Sequence, residues 1–149
     1  MGQGDGGGVG ATSAQDATGA IRPGPPIDMN FPAGGGGLHS TVDDLARWLR
    51  AIDARELLAA ESWDAMLTEG PGNYGLGVMV GTVAGEPIVH HGGSINGFES
   101  WVALFPERDL QVVVLSNLAS ESDPRLNAQR VGMGLAALCL DPAVVGAGR

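Results

Sequence analysis

The chain has 149 residues, 44% hydrophobic and 17% charged, the proportions of one globular domain. Its 17 acidic against 8 basic residues give a formal charge of −9, which opposes phosphate backbones and anionic lipid and argues against a nucleic-acid partner. All eight basic residues are arginine; with no lysine, the sequence holds no Schiff-base amine, no P-loop lysine and no Ser-x-x-Lys nucleophile.

A domain of this length buries about 68–70% of the surface its unfolded chain exposes, so it needs neither a disulfide nor a structural metal. Cys139 is the sole cysteine. No run approaches the roughly 18 apolar residues of a membrane span. Met1-Gly-Gln-Gly-Asp5 has neither the basic nor the apolar region of a signal peptide, and the sequence assigns no compartment.

Twelve of the 25 glycines fall in the first 37 positions. Residues 1–20, almost without large apolar groups, read as a flexible Gly-rich tail, and residues 21–149 as the folded part. From Ile21 to Gly37, prolines 23, 25, 26 and 32 alternate with Ile27, Met29 and Phe31, which suits an extended strap docked on something else.

Ser40 to Ile52 has helical periodicity, with Val42, Leu45, Trp48, Leu49 and Ile52 on one face. Ser40 or Thr41 caps it, Asp43 and Asp44 occupy the first turn, and Arg47 and Arg50 follow, as the helix dipole favours. A short helix from Ser62 to about Thr68 presents Trp63, Met66 and Leu67 before Glu69-Gly70-Pro71-Gly72 breaks it.

The period then changes. Residues 74–83, 87–92, 97–105 and 110–117 are short, β-branched or aromatic runs, with turns at Ala84-Gly85-Glu86 and Pro106-Glu107-Arg108-Asp109. They predict an antiparallel meander. A last helix starts at Asp123-Pro124 and runs through Leu126, Val131, Leu135 and Leu138 to Leu140, packing on the sheet. The expected fold is α+β, an antiparallel sheet of about four strands with flanking N- and C-terminal helices that cover one face.

His90-His91 is no metal pair, because neighbours in a strand point to opposite faces; His39 adds no cluster. Neither a metal nor a cofactor is expected. Gly2-Gln-Gly4-Asp-Gly-Gly7 has the letters of a dinucleotide loop without the strand before it or the helix after it. Gly92-Gly93-Ser94-Ile95-Asn96 falls short of a nucleophile elbow, since Asn96 stands in the final glycine's place, so Ser94 is a poor nucleophile. Cys139 reads as a small buried hydrophobe, and Trp48, Trp63 and Trp101 as core. His91-Gly92-Gly93-Ser94-Ile95-Asn96-Gly97-Phe98 is the segment of interest, because its glycines let a ligand or another backbone approach a strand.

Phe31-Pro-Ala-Gly-Gly-Gly-Gly-Leu-His-Ser-Thr-Val-Asp-Asp-Leu-Ala-Arg-Trp48, Tyr74-Gly-Leu-Gly77, His91 to Phe98, Phe105-Pro-Glu-Arg108 and Val112-Val-Val-Leu-Ser-Asn117 stand in an order that resembles the serine β-lactamase-related and penicillin-binding-protein family. That family includes class C β-lactamases, D-alanyl-D-alanine carboxypeptidases and esterases. The resemblance runs from about Ala17 to Leu140 and implies a carboxyl-terminal part of a β-lactamase/transpeptidase-like fold. It also implies Ser-x-x-Lys, Tyr-x-Asn and a third motif of Lys-Thr-Gly or His-x-Gly type.

Only the third is matched, by His91-Gly92-Gly93; Tyr74, the sole tyrosine, is followed by Gly75-Leu76. The resemblance makes His91 a substrate-facing donor and the Ser94 N–H half of an oxyanion hole. Gly92, Gly93, Asn96 and Gly97 then line the substrate, a small molecule or peptide. The expected protein is a carboxyl-terminal fragment of such a hydrolase, inactive alone, from a reading frame that opens after Tyr-x-Asn. It self-associates or pairs with an amino-terminal half. The alternative is a non-catalytic binding or complementing module with a cleft-like strand.

Overall fold

Four strands, β3 (Met79–Val83), β4 (Glu86–Ile95), β5 (Phe98–Phe105) and β6 (Leu110–Ser116), pair antiparallel in sequence order in the computed structural model. The structure describes residues 12–26, 28, 32–120, 123, 125 and 127–141. The expected meander is therefore present, joined at Ala84-Gly85 and Asn96-Gly97 by turns whose residues all have positive φ.

Alternation along the strands builds two cores. One face carries Ile88, Trp101, Ala103, Phe105 and Val112, covered by helix α3 (Ala128–Leu140). The other carries Val89, Leu104 and, beside them, Val102 and Val113, covered by α1 (Val42–Asp53) and α2 (Ala60–Leu67) through Leu49, Ile52 and Trp63. Helices on a single face were expected, but both faces are covered, because each strand is apolar on both sides of its pleat and each side must leave water.

The first helix starts where its sequence predicts. Thr41 Oγ1 accepts a hydrogen bond from the Asp44 amide at 3.1 Å, with Asp43 and Asp44 in the first turn. Leu49 and Ile52 are buried, whereas Trp48 is 45% exposed and so does not join the core as expected. It sits one residue off the narrow stripe that faces the sheet.

The last helix departs further from its pattern. It begins at Ala128, capped by Asn127, whose side chain accepts from the Arg130 amide at 3.1 Å. Asp123 instead folds onto Arg125, accepting from its amide at 3.0 Å and its Nη2 at 2.7 Å, and Pro124 and Leu126 lie outside the described residues. Ala128, Gly132 and Ala136 face the sheet, while Val131, Leu135 and Leu138 are 40%, 46% and 59% exposed. The cause is Trp101: a Cβ at Gly132 would run into its indole ring, so only a stripe of small residues can approach. Cys139, on the same helix, is exposed rather than buried.

A second, three-stranded sheet was not expected. In it β1 (Ser13–Gln15) lies between β2 (Ile21–Pro23), antiparallel, and β7 (Leu118–Ser120), parallel. Where the composition suggests a tail to residue 20, Ser13 onward is a hairpin, and residues 1–11 lie outside the described residues. Asp16 makes the turn: its carboxylate accepts from the Thr18 amide at 2.9 Å, the Thr18 hydroxyl at 2.6 Å and Arg22 Nε at 2.6 Å. These bonds, that from the Thr18 hydroxyl first, pull its carboxyl down to about 2. Of the strap's docking residues, Ile27, Met29 and Phe31 lie outside the described residues. Pro25 and Pro26 meet the β4–β5 turn through Asn96, whose Nδ2 lies 3.4 and 3.2 Å from their carbonyls.

Candidate active site

Strand β4 has ten residues and β3 only five. Pairing with β3 ends at His90, so residues 91–95, His-Gly-Gly-Ser-Ile, run on with β5 as their only strand partner among the described residues. Among the described residues, one side of this segment's backbone therefore has no neighbouring strand.

The pleat sends its side chains two ways. His90, Gly92 and Ser94 face α3; His91, Gly93 and Ile95 face the side that α1 and α2 cover further down the sheet. The two histidines are thus divided as strand alternation requires, and among the described residues no group of His, Cys, Asp and Glu could hold a metal.

His90 tilts against Trp101 with ring centroids 5.9 Å apart, and its Nδ1 is buried with no hydrogen-bond partner. Burial, and then the neighbouring His91 charge, push its pKa below the ordinary imidazole value. Gly92 is held between strand and indole: a Cβ there would lie 3.2 Å from the Ser100 carbonyl and 3.3 Å from Trp101 Cδ1. Ser94 Oγ donates to Glu99 Oε1 at 3.1 Å, and Glu99 Oε2 accepts from Asn127 Nδ2 at 3.0 Å and the Ala128 amide at 3.2 Å. The Ser94 hydroxyl is thereby tied to the start of α3, on the face away from His91.

On the opposite face Gly93 is exposed, while His91 and Ile95 are half-buried. His91 Nε2 lies 2.7 Å from the Tyr74 hydroxyl, with the rings edge to face at 5.8 Å. Gly93, two residues on, has only the Ser100 hydroxyl within 3.2 Å of where a Cβ would be. Asn96 and Gly97 form the turn itself, about 16 Å from His91 at roughly 3.3 Å per residue. Asn96 holds the strap there, and a Cβ at Gly97 would lie 2.9 Å from the Ser13 carbonyl.

Of the expected residues, His91 and Gly93 share a face, Gly92 and Ser94 share the other, and Asn96 and Gly97 sit apart. From the sequence alone Tyr74 has no place in the site: it fails Tyr-x-Asn, and in the 74–83 run and in Tyr74-Gly-Leu-Gly77 it carries no role. Its available signal was its place as the sole tyrosine, between Asn73 and Gly75-Leu76-Gly77, directly before a strand. Concavities beside Asn127 to Met133 and beside α1 do not include His91.

A beta-lactamase family model matches residues 5–134, and the chain belongs to that family. Among solved structures it is similar to an octameric penicillin-binding protein homologue from Pyrococcus abyssi, with 28% identity and a TM-score of 0.69 over 87% of this chain and 30% of that one. The chain thus spans less than a third of that homologue's length. No curated protein matches it. The sheet and its helices are a partial β-lactamase/penicillin-binding-protein fold, and the chain is of the serine hydrolase family that the motif order implied.

Proposed function

We propose that this chain supplies the cleft strand of a serine acyl-transfer site that acts on a small-molecule or peptide carbonyl substrate. The observation that carries the reading is β4 running past β3 at His91, which leaves a strand edge with a histidine beside it. An acyl substrate lies along such an edge by backbone hydrogen bonds. In this reading His91 donates to the substrate, the Ser94 N–H is half of the oxyanion hole, and Gly93 leaves room beside His91. Asn96 and Gly97 bound the far end of the cleft, and Gly92 keeps the strand close to Trp101.

The serine and its lysine come from another polypeptide segment, because the sequence holds no lysine. Loss of the serine–base unit costs about a millionfold in rate, so these residues alone do not hydrolyse substrate. Trp48, Leu115 and the outward side of α3 are exposed apolar surface that such a segment, or a second copy, would cover. Purified alone, the chain is expected to leave nitrocefin and a p-nitrophenyl ester at the buffer rate. Co-expressed with a family amino-terminal half carrying Ser-x-x-Lys and Tyr-x-Asn, it is expected to form a complex that turns one of them over. Turnover by the chain alone, abolished by Ser94→Ala, would overturn the reading, and so would a cooperatively folded monomer that binds no such half.

A further inference from the structure

Tyr74 precedes β3 on a loop that is fixed at several points. The Gly70 amide donates to the Tyr74 carbonyl at 3.1 Å, the Gly75 amide to Val78 O at 2.8 Å, and the Leu76 amide to Met66 O, in the last turn of α2, at 3.0 Å. Tyr74 itself bridges to Met79. The loop is pressed onto the helix end so closely that a Cβ at Gly75 would collide with the Met66 carbonyl, and one at Gly70 would lie 2.7 Å from the Tyr74 carbonyl. The backbone that carries the phenol to His91 is therefore held at several points.

The direction of the bond follows from the two groups. A phenol O–H is a good donor, and its oxygen lone pair is drained into the ring; a neutral imidazole's bare nitrogen is the stronger acceptor. These preferences favour the Tyr74 hydroxyl as the donor to His91 Nε2, which leaves the imidazole proton on Nδ1. We propose that Tyr74 is a positioning residue that fixes His91 as the Nδ1–H tautomer, so that Nδ1–H is the donor the His91 face of β4 presents to a substrate. The substrate half of this proposal rests on the acyl-transfer reading; the tautomer half does not.

The test is a long-range proton–nitrogen correlation spectrum of the 149-residue chain, labelled with 15N at histidine and recorded at pH 8. The His91 signals are assigned by their loss in His91→Ala. The expected spectrum shows His91 protonated at Nδ1, and Tyr74→Phe moves it toward Nε2–H. An Nε2–H His91 in the unsubstituted chain, or an unchanged spectrum in Tyr74→Phe, would overturn the proposal.

A second reading uses the complex with a family amino-terminal half. Tyr74→Phe lowers turnover about tenfold, the scale of one hydrogen bond, and has no effect when His91→Ala is already present. Equal losses in both backgrounds would show that Tyr74 acts on its own and would sink the positioning role. If His91→Ala costs no turnover, the acyl-transfer reading fails while the spectrum still decides the tautomer.

Discussion

The two faces of β4 use nearly the same residues differently. Toward α3, His90, Gly92 and Ser94 are spent on packing and on holding a helix: an imidazole with a buried, unbonded Nδ1 on an indole, a glycine beside that indole, a hydroxyl tied to Glu99. Toward the other side, His91 lies against the hydroxyl and ring of Tyr74, and the Cβ position of Gly93 meets the Ser100 hydroxyl. One strand therefore serves as scaffold on one side and, in the function proposed above, faces the substrate on the other, and the pleat divides its residues between the two.

The comparison is broken most severely at Trp101, which is fully buried. Trp101→Ala is expected to cost about 3–5 kcal/mol, read as a lower urea midpoint; a loss below about 1 kcal/mol would mean the α3 face is not the stabilising one. Gly132→Ala comes next: its methyl meets the indole, an overpacking cost of about 1–3 kcal/mol that helix propensity offsets by up to about 1 kcal/mol. Leu135→Ala on the outward side of the same helix should stay within about 0.5 kcal/mol.

Gly92 and Gly93 sharpen the contrast within two residues. Gly92→Ala pushes on a backbone carbonyl and on Trp101, and should cost about 1 kcal/mol or more, whereas Gly93→Ala displaces one hydroxyl that can rotate away and should cost about 0.5 kcal/mol or less. Equal melting points for the two variants would contradict the division of faces.

The smallest effect is a pH dependence. His90 has its folded pKa lowered, by burial first, so near pH 6 the unfolded chain binds a proton that the folded chain does not. Stability from this group is complete above the unfolded imidazole value and falls as pH drops below it, toward the lower folded value. The urea midpoint should decline between about pH 7 and 5, and His90→Phe should flatten the decline. A midpoint that rises on acidification would show that His90 is charged in the fold.

Much of this was readable in advance, and for identifiable reasons. β-Branched and aromatic runs bounded by turn residues marked the four strands, period 3.6 marked α1, and strand alternation separated His90 from His91. The side of α3 that meets the sheet was not readable: Val131, Leu135 and Leu138 are the obvious apolar stripe, yet the bulk of Trp101, 31 positions before Gly132, selects the small one. The 12–23 hairpin was hidden because glycine content dominated a turn made by a single aspartate. Tyr74 meets His91 across 17 residues, a distance at which no local pattern speaks.

The central claim, that the His91 face of β4 carries the chemistry, is tested most directly by the turnover of the complex between this chain and a family amino-terminal half, with His91 and with His91→Ala, at equal amounts of folded complex. Loss of one preorganised donor costs about a hundredfold or more, with association and melting unchanged, and that is the expected result. Equal turnover by the two complexes would contradict the account.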